Sequence, residues 1–287
     1  MKISVILSTY ERPQTLRLAL LSLSHQTRVP DEVVIHDDGS DEHMASSVRG
    51  YVADLGFAGV KYVRQEHRGF RLARSRNNGI RQAEGDYLVF SDQDIVATTG
   101  YIEQFSRYGR RGQFLVAFPV LLTEQQSEQV TEEMVVHSEY SGLLTIDQVR
   151  ELRRQYVKDS FYYYCGYVLG GRRCRPKVRG GVFGISREDL LLVDGFDENY
   201  QGWGAEDDDL GRRLYRAGVA GRTVFRNEFP IHLWHRHETD AEDSPNLPYY
   251  KRRLGEIRRG DFRAVHGLSN PLDVDEPAVI RIRESNE

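Results

Sequence analysis

The sequence has few cysteines and no long apolar run. Its two cysteines, Cys165 and Cys174, are too few for a disulfide scaffold and fit free thiols in a reducing compartment. The longest apolar run, residues 114–122, contains a proline and is nine residues long, whereas a membrane-spanning helix needs about 20. The apolar stretch 3–7 is too short for a signal peptide. We therefore expect a soluble, cytoplasmic protein with no transmembrane segment.

The chain also lacks an excess of positive charge. Its 39 Lys and Arg residues face 43 Asp and Glu residues, which gives a formal net charge of −4. A protein dedicated to nucleic acid would normally be basic, so this class of function is disfavoured. Lysine is rare, with five residues among the 39, and the other basic residues are arginines. Arginine suits bidentate phosphate recognition, although biased codon usage would give the same composition.

Apolar runs alternate with helical patterns over the first hundred residues. Short runs that are typical of buried strands lie at residues 3–7, 33–35, 60–63 and 87–90, with helical patterns between them. This alternation predicts an α/β fold with a mainly parallel central sheet flanked by helices. Ligands bind such sheets at the carboxyl ends of the strands. Acidic residues follow two of these strands, which is the first indication of a site.

The rest of the chain is less regular. Further strands are predicted at residues 114–118 and 180–186, and helices at 188–193 and 207–217. Residues 123–177 give no clear indication of their role. After residue 241 the chain becomes polar and contains four prolines, which predicts an extension that wraps around the core.

Two groups of side chains are candidate metal ligands. Asp92 and Asp94 come directly after a predicted strand, and paired carboxylates suit Mg²⁺ or Mn²⁺. His232 and His235 are three residues apart and could face one ion, with His237 close behind. An exposed turn and buried structural histidines would give the same patterns. Spacing alone does not separate ligands from bystanders.

The densest acidic cluster, residues 206–209, directly precedes an amphipathic helical pattern. One or two acids would suffice to cap a helix and to interact with its dipole. Four adjacent carboxylates repel one another, which raises the pKa of one of them and favours a role as general base. Trp203 precedes the cluster and lies between two glycines. That arrangement suits a mobile flap, and an aromatic ring stacks well on a sugar.

Other polar residues could contact a nucleotide. Asp37 and Asp38 end the second predicted strand, where they could form a turn or accept hydrogen bonds from a base or a ribose. Arg74 and Arg76 open the next helix, where cations and amides could meet a phosphate. The basic run 172–179 could hold a pyrophosphate or be a solvated loop.

Taken in order, these motifs resemble those of family 2 glycosyltransferases with the GT-A fold. The second half resembles the region shared by β-1,4-galactosyltransferases and bacterial chondroitin-type polymerases. The resemblance covers residues 3–237. The segments that carry it are Val5-Ile-Leu-Ser-Thr-Tyr-Glu-Arg12, Asp37-Asp-Gly-Ser40, Ala73-Arg-Ser-Arg-Asn-Asn-Gly79, Asp92-Gln-Asp94, Gly180-Gly-Val-Phe-Gly-Ile-Ser-Arg187, Asp194-Gly-Phe-Asp197 and Trp203-Gly-Ala-Glu-Asp-Asp-Asp-Leu210.

The resemblance implies a UDP-sugar donor and a bound Mn²⁺ or Mg²⁺ ion. The residues that it implies for donor or nucleotide binding are Thr9, Tyr10, Arg12, Asp38, Arg74, Asp92, Gly181 and Trp203. The metal ligands that it implies are Asp94, His232 and His235. His237 remains an alternative to His232.

The same resemblance implies roles on the acceptor side. Asp207 corresponds to the catalytic base, and Glu206 and Asp208 correspond to residues that bind the acceptor. Trp203 would contact the acceptor as well as the donor. The segment 160–177 has no counterpart in the family pattern, which leaves selectivity open.

The resemblance implies a metal-dependent inverting transferase that moves one hexose-type sugar to a glycan or glycolipid acceptor. We expect one catalytic domain over residues 1–240, with a nucleotide-binding half (1–100), an acceptor and metal half (101–240), and an extension over 241–287. Two alternatives stay open: a sugar-nucleotide nucleotidyltransferase and a non-catalytic carbohydrate-binding protein on the same fold. Peripheral membrane association through arginine-rich patches also stays open.

Overall fold

The computed structural model describes residues 1–168, 178–236 and 244–284. His237, Cys174 and most of the basic run 172–179 lie outside the described residues. In chain order the strands are β1 (Ile3–Thr9), β2 (Glu32–Asp37), β3 (Gly59–Arg64), β4 (Tyr87–Asp92), β5 (Ile95–Ala97), β6 (Gln113–Val116), β7 (Val120–Leu121), β8 (Val182–Ser186), β9 (Ala220–Arg222), β10 (Pro230–His232) and β11 (Ala278–Arg283).

Helices connect most of these strands and cover the sheet. They are α1 (Pro13–Ser24), α2 (Glu42–Asp54), α3 (Leu72–Gln82), α4 (Tyr101–Tyr108), α5 (Glu124–Glu128), α6 (Glu132–His137), α7 (Ile146–Val168), α8 (Arg187–Leu192), α9 (Glu206–Arg216) and α10 (Leu247–Arg259). A 3₁₀ turn spans Glu139–Leu143. Across the described ranges, no helix has both the length and the apolar character that a membrane crossing requires.

The central sheet has eight strands in the described part of the chain, in the order β11-β3-β2-β1-β4-β8-β6-β9. Strands β3, β2, β1 and β4 run parallel to one another. Strand β8 is antiparallel to both β4 and β6, and β11 is antiparallel to β3. The predicted α/β fold with a mainly parallel sheet is confirmed.

Both faces of this sheet are buried. Along β1, Val5 and Leu7 belong to one apolar cluster, whereas Ile6 between them belongs to a second cluster on the opposite face. Leu20 of α1 packs in the first cluster and Ile80 of α3 in the second. Because both faces are covered, the central positions of these strands, such as 5–7 in β1 and 33–35 in β2, are apolar without alternation.

The strand register brings polar side chains together at one edge of the sheet. In the β1–β4 ladder Ser8 pairs with Asp92, and in the β1–β2 ladder Thr9 pairs with Asp37. These residues end three adjacent parallel strands. The two acidic groups of the first hundred residues therefore lie along the same edge, as expected for a ligand site.

A second, small sheet has the strand order β5-β10-β7. Strand β10 is antiparallel to β5, and His232 at its end pairs with Ile95. The next residue, Leu233, donates its amide to the carbonyl of Asp94 over 2.9 Å. The small sheet thus carries the histidine segment to the end of β4. Strands β5, β7 and β10 are too short to show a period in the sequence, so they were not predicted.

The predicted C-terminal extension packs against the rest of the fold, and its last strand forms an edge of the central sheet. Strand β11 extends the central sheet at β3, and residues 267–275 pack beside α3. The fully buried carboxylate of Glu198 links these parts. It accepts hydrogen bonds from Asn77 (2.9 Å), Arg81 (3.2 Å) and the Leu272 amide (3.1 Å), and it lies 3.4 Å from Arg74.

We predict that Glu198→Gln lowers the free energy of unfolding by about 3 kcal/mol, because it removes the charge from a buried ion-pair network. Glu188→Gln is the matched control, since Glu188 forms a surface pair with Arg111 and such pairs contribute at most about 1 kcal/mol. Urea unfolding followed by circular dichroism measures both variants. Equal stability of the two variants would show that the Glu198 network does not anchor the C-terminal segment.

Candidate active site

The ends of β1 and β4 are joined by side chains. The Ser8 hydroxyl donates to Asp92, and the Thr9 hydroxyl donates to Gln93 Oε1 over 2.6 Å. The Gln93 amide also bonds the Tyr10 backbone at both its N–H (3.2 Å) and its carbonyl (2.9 Å). The middle residue of the Asp-Gln-Asp triplet therefore fixes the loop after β1, while its two carboxylates point to other partners.

At the centre of the site lies Arg76 of α3, which is almost fully buried. Its guanidinium lies 3.1 Å from Asp207, 3.5 Å from Glu206 and 3.5 Å from Asp92. One cation thus faces three carboxylates that come from the end of β4 and the first turn of α9. The ring of Phe196 lies 5.1 Å from the guanidinium carbon and closes another side of this pocket.

The three carboxylates have different electrostatic environments. Burial raises the pKa of Asp207 to about 8, and the neighbouring Glu206 adds to the effect, while Arg76 opposes it. Burial also raises the pKa of Glu206. Burial alone would raise the pKa of Asp92, but Arg76 and the Ser8 hydroxyl outweigh it, so the net pKa is lowered. Asp92 is therefore held as an anion, whereas Asp207 has the pKa of a general base for near-neutral pH.

The glycine pair at the start of β8 allows the carboxylates to approach the backbone. Gly180 donates its amide to Asp207 over 2.9 Å. A Cβ added at Gly180 would lie 2.6 Å from Asp207 Oδ2, and one added at Gly181 would lie 2.2 Å from Asp92 Oδ2. Any larger residue would displace these acids, which accounts for both glycines in physical terms.

Asp94, His232 and His235 form a cluster whose ligand atoms all lie within 4.8 Å of one another. His232 Nε2 lies 3.6 Å from one carboxylate oxygen of Asp94, and His235 Nε2 lies 3.4 Å from the other. The buried Oδ1 atom of Asp94 accepts no hydrogen bond from the described residues. Two imidazoles and one carboxylate with an unsatisfied oxygen suit a divalent cation.

The two histidines do not lie on a helix. His232 ends β10, and His235 lies three residues further along irregular chain. The Arg12 guanidinium lies 3.3 Å from Asp94 and is partly exposed. It therefore adds a partly exposed positive charge beside the Asp94 cluster.

Asp37 and Asp38 have different surroundings. Asp37 is fully buried and accepts hydrogen bonds from the Gly39 and Ser40 amides and the Ser40 and Tyr62 hydroxyls. It fixes the turn after β2.

The Asp38 carboxylate accepts from Gln65 (2.5 Å) and from the Arg71 amide (2.8 Å). Burial raises the pKa of Asp38. Tyr10 stacks on His67 at 4.9 Å, which places an exposed aromatic face beside this group.

Arg74 does not lie among the active-site acids. Its buried guanidinium donates to the carbonyls of Asp273 (2.9 Å) and Asp275 (2.6 Å), so it binds the C-terminal segment. Its role in nucleotide binding remains a prediction that these contacts do not favour. Arg76, two residues later, is the arginine of α3 that reaches the carboxylates, because residues two apart on a helix face different sides.

The acidic run in the first turn of α9 divides between inward and outward positions. Glu206 and Asp207 contact Arg76, whereas Asp208 is exposed. Asp209 is fully buried and pairs with Arg213 at 2.6 Å, which makes it a structural residue. Trp203 is 44% exposed on the loop before these acids. The first and last members of the run could not be told apart from sequence.

Two protein families match the chain, and together they cover residues 4–237. Residues 4–170 match the family described as "Glycosyl transferase family 2", and residues 166–237 match the family described as "N-terminal domain of galactosyltransferase". The chain is 25% identical over 294 residues to the chondroitin synthase of Escherichia coli, covering 92% of this chain and 41% of that protein.

A second relative is the validoxylamine A glucosyltransferase of Streptomyces hygroscopicus subsp. limoneus, which is 30% identical over 262 residues. That match covers 84% of this chain and 54% of the relative. The chain therefore spans about half the length of these relatives. Among solved structures, GalNAc-T7 with UDP, GalNAc and Mn²⁺ has a TM-score of 0.58 at 20% identity, covering 89% of this chain and 48% of that one. The structural match shows a shared fold.

Proposed function

Since the chain belongs to glycosyl transferase family 2, we propose that it transfers one hexose-type sugar from a UDP-sugar to a hydroxyl of a glycan or glycolipid acceptor. Synthesis of bacterial surface polysaccharide or lipopolysaccharide, at the inner face of the cytoplasmic membrane, is the setting that we propose. One observation carries the proposal: a three-ligand metal cluster and a carboxyl of raised pKa lie at the same edge of the sheet.

In the proposed reaction Asp207 is the general base. Its carboxylate takes the proton of the acceptor hydroxyl while the hydroxyl oxygen forms a bond to the anomeric carbon of the donor. The bond from that carbon to the diphosphate oxygen breaks at the same time, and UDP leaves. A single attack from the opposite side inverts the configuration. The raised pKa makes Asp207 a stronger base than an ordinary carboxylate.

The surrounding residues prepare Asp207 for this task. Arg76 and the Gly180 amide fix the orientation of its carboxylate through contacts of 3.1 and 2.9 Å. Glu206 and Asp208, on the same turn, would bind acceptor hydroxyls. Trp203 would stack on the sugar and exclude water from the reacting atoms.

The donor would lie along the strand ends. Asp38 and Tyr10 would contact the uridine, with Thr9 holding the loop through Gln93, and Asp92 beside Gly181 would meet the ribose or the donor sugar. Asp94, His232 and His235 would hold Mn²⁺ or Mg²⁺, which supplies positive charge to the diphosphate as UDP departs. Arg12 would contact the same diphosphate.

The relatives support this assignment. Both sequence relatives are named as synthases or transferases of sugars, and GalNAc-T7 was solved with UDP and Mn²⁺. These names describe those proteins. The donor sugar of this chain is best identified by a hydrolysis screen over nucleotide sugars with each metal.

We predict that Asp207→Asn lowers sugar transfer by about a hundredfold or more, because the proton acceptor is lost. UDP binding in the presence of Mn²⁺ should persist, since Asp207 does not contact the metal cluster. Product formation by mass spectrometry and UDP binding by calorimetry measure the two effects. Asp147→Asn, on the exposed start of α7, controls for the loss of one acid. Normal turnover of Asp207→Asn would exclude Asp207 as the base.

A second prediction concerns the metal cluster. Asp94→Ala should abolish the Mn²⁺-dependent part of UDP binding, because it removes the anionic ligand between the two imidazoles. His235→Ala should weaken it, and His43→Ala on α2 provides the histidine control. Calorimetric titration of UDP with and without Mn²⁺ separates the contributions. If Asp94→Ala binds UDP with the same metal dependence as the unmodified protein, Asp94 is not a ligand.

A further inference from the structure

The loop that carries Trp203 has an unusual backbone. Gly202 and Gly204 have φ values of 78° and 98°, and Ala205 has a φ of 75°. A left-handed conformation is easy for glycine but costs a residue with a Cβ about 1 kcal/mol or more. Ala205 immediately precedes α9, so this backbone directs Glu206 and Asp207 toward Arg76. Other contacts must stabilise the conformation.

Those contacts come from a segment forty residues further along the chain. The Asn246 amide donates to the carbonyls of Gly204 (2.9 Å) and Gly202 (3.3 Å), and the Ser244 hydroxyl donates to the carbonyl of Trp203 (2.6 Å). Three consecutive carbonyls of the loop are thus bonded by two side chains. The Asn246 side chain is almost fully buried. Breaking the two Asn246 bonds would leave its buried amide unsatisfied.

The side chain of Asn246 does not make the contact that its position at the start of α10 would favour. Asn246 is the N-cap residue of α10, where asparagine usually accepts a hydrogen bond from the first turn of its own helix. Its side chain makes no such capping bond. The amide is instead directed at the Trp203 loop. A residue type well suited to capping therefore acts on another part of the molecule.

The same loop is bonded to the donor side of the site. Gly202 donates its amide to the carbonyl of Phe70 over 2.8 Å. The next residue, Arg71, donates its own amide to the carboxylate of Asp38. The Trp203 loop therefore lies between the Asp38 region, on which Phe70 borders, and Asp207 at the start of α9.

We propose that Asn246, assisted by Ser244, is a positioning residue that sets the conformation of the Trp203 loop and so the placement of Trp203 and Asp207. The proposal rests on the proposed function for its catalytic consequence only. Loop placement itself can be measured without any substrate. Asn246 acts through the three carbonyls that it and Ser244 bond.

The decisive variant is Asn246→Asp. Aspartate caps helices as well as asparagine does, so α10 should be retained. A carboxylate cannot donate to the Gly202 and Gly204 carbonyls, so the loop should be released. Ser244→Ala removes only the bond to Trp203 and should have a smaller effect in the same direction. Asn270→Ala, at an exposed position of the same C-terminal segment, is the control.

Loop placement is measured by fluorescence. The chain has two tryptophans, so Trp234→Phe leaves Trp203 as the single emitter. In that background, Asn246→Asp should raise the acrylamide quenching constant of Trp203 at least about twofold, since local release exposes the ring. Asn270→Ala should leave it unchanged. Unchanged quenching in Asn246→Asp would overturn the proposal, whatever the enzyme's activity.

Kinetics test the consequence with Trp234 intact. Asn246→Asp should lower kcat about tenfold or more, because misplacing a catalytic group costs rate even without loss of contact to substrate. Asn246→Asp should lower the thermal unfolding midpoint, because its buried side chain loses two hydrogen bonds. The value of kcat is therefore measured at a temperature at which circular dichroism shows the variant to be folded. A role confined to α10 would leave kcat unchanged in this variant and would contradict the proposal. Absence of transfer in the unmodified protein would contradict the proposed function but not the fluorescence result.

Discussion

The active site depends on one buried cation. Arg76 faces Asp92, Glu206 and Asp207, and its charge offsets the mutual repulsion of these three carboxylates. The pKa values of Asp92 and Asp207 nevertheless differ. Asp92 remains an anion, whereas burial and Glu206 keep the pKa of Asp207 high. Asp92 is therefore suited to binding a ligand as an anion, whereas Asp207 is suited to accepting a proton.

The fold supports this arrangement from two directions. Parallel strands β1, β2 and β4 end at one edge and bring together the acids that follow β2 and β4, while α9 and the small sheet bring Asp207 and the two histidines from later in the chain. The C-terminal segment then fixes the result. Glu198 anchors it to α3, and Asn246 bonds the loop ahead of Asp207.

Much of this could be predicted from sequence where the signal is local. The strand before Asp92 is a continuous apolar run, so the acid at its end was readily found, and the spacing of His232 and His235 indicated a metal. The role of Arg76 could not be predicted, because its partners Glu206 and Asp207 lie 130 residues away. The family resemblance implies Arg74 for nucleotide binding, whereas the structure shows that its side of α3 faces the C-terminal segment. The path of β10 also had no local signal.

The most direct test of this account is the pKa of Asp207 in the ligand-free protein. Aspartate side-chain carboxyls labelled with ¹³C can be titrated by NMR, and the signal missing from Asp207→Asn identifies the residue. We expect the Asp207 carboxyl signal to titrate with a midpoint near pH 8. A midpoint at the ordinary aspartate value of about 4 would contradict the claim that burial raises the pKa of Asp207 and so makes it the general base.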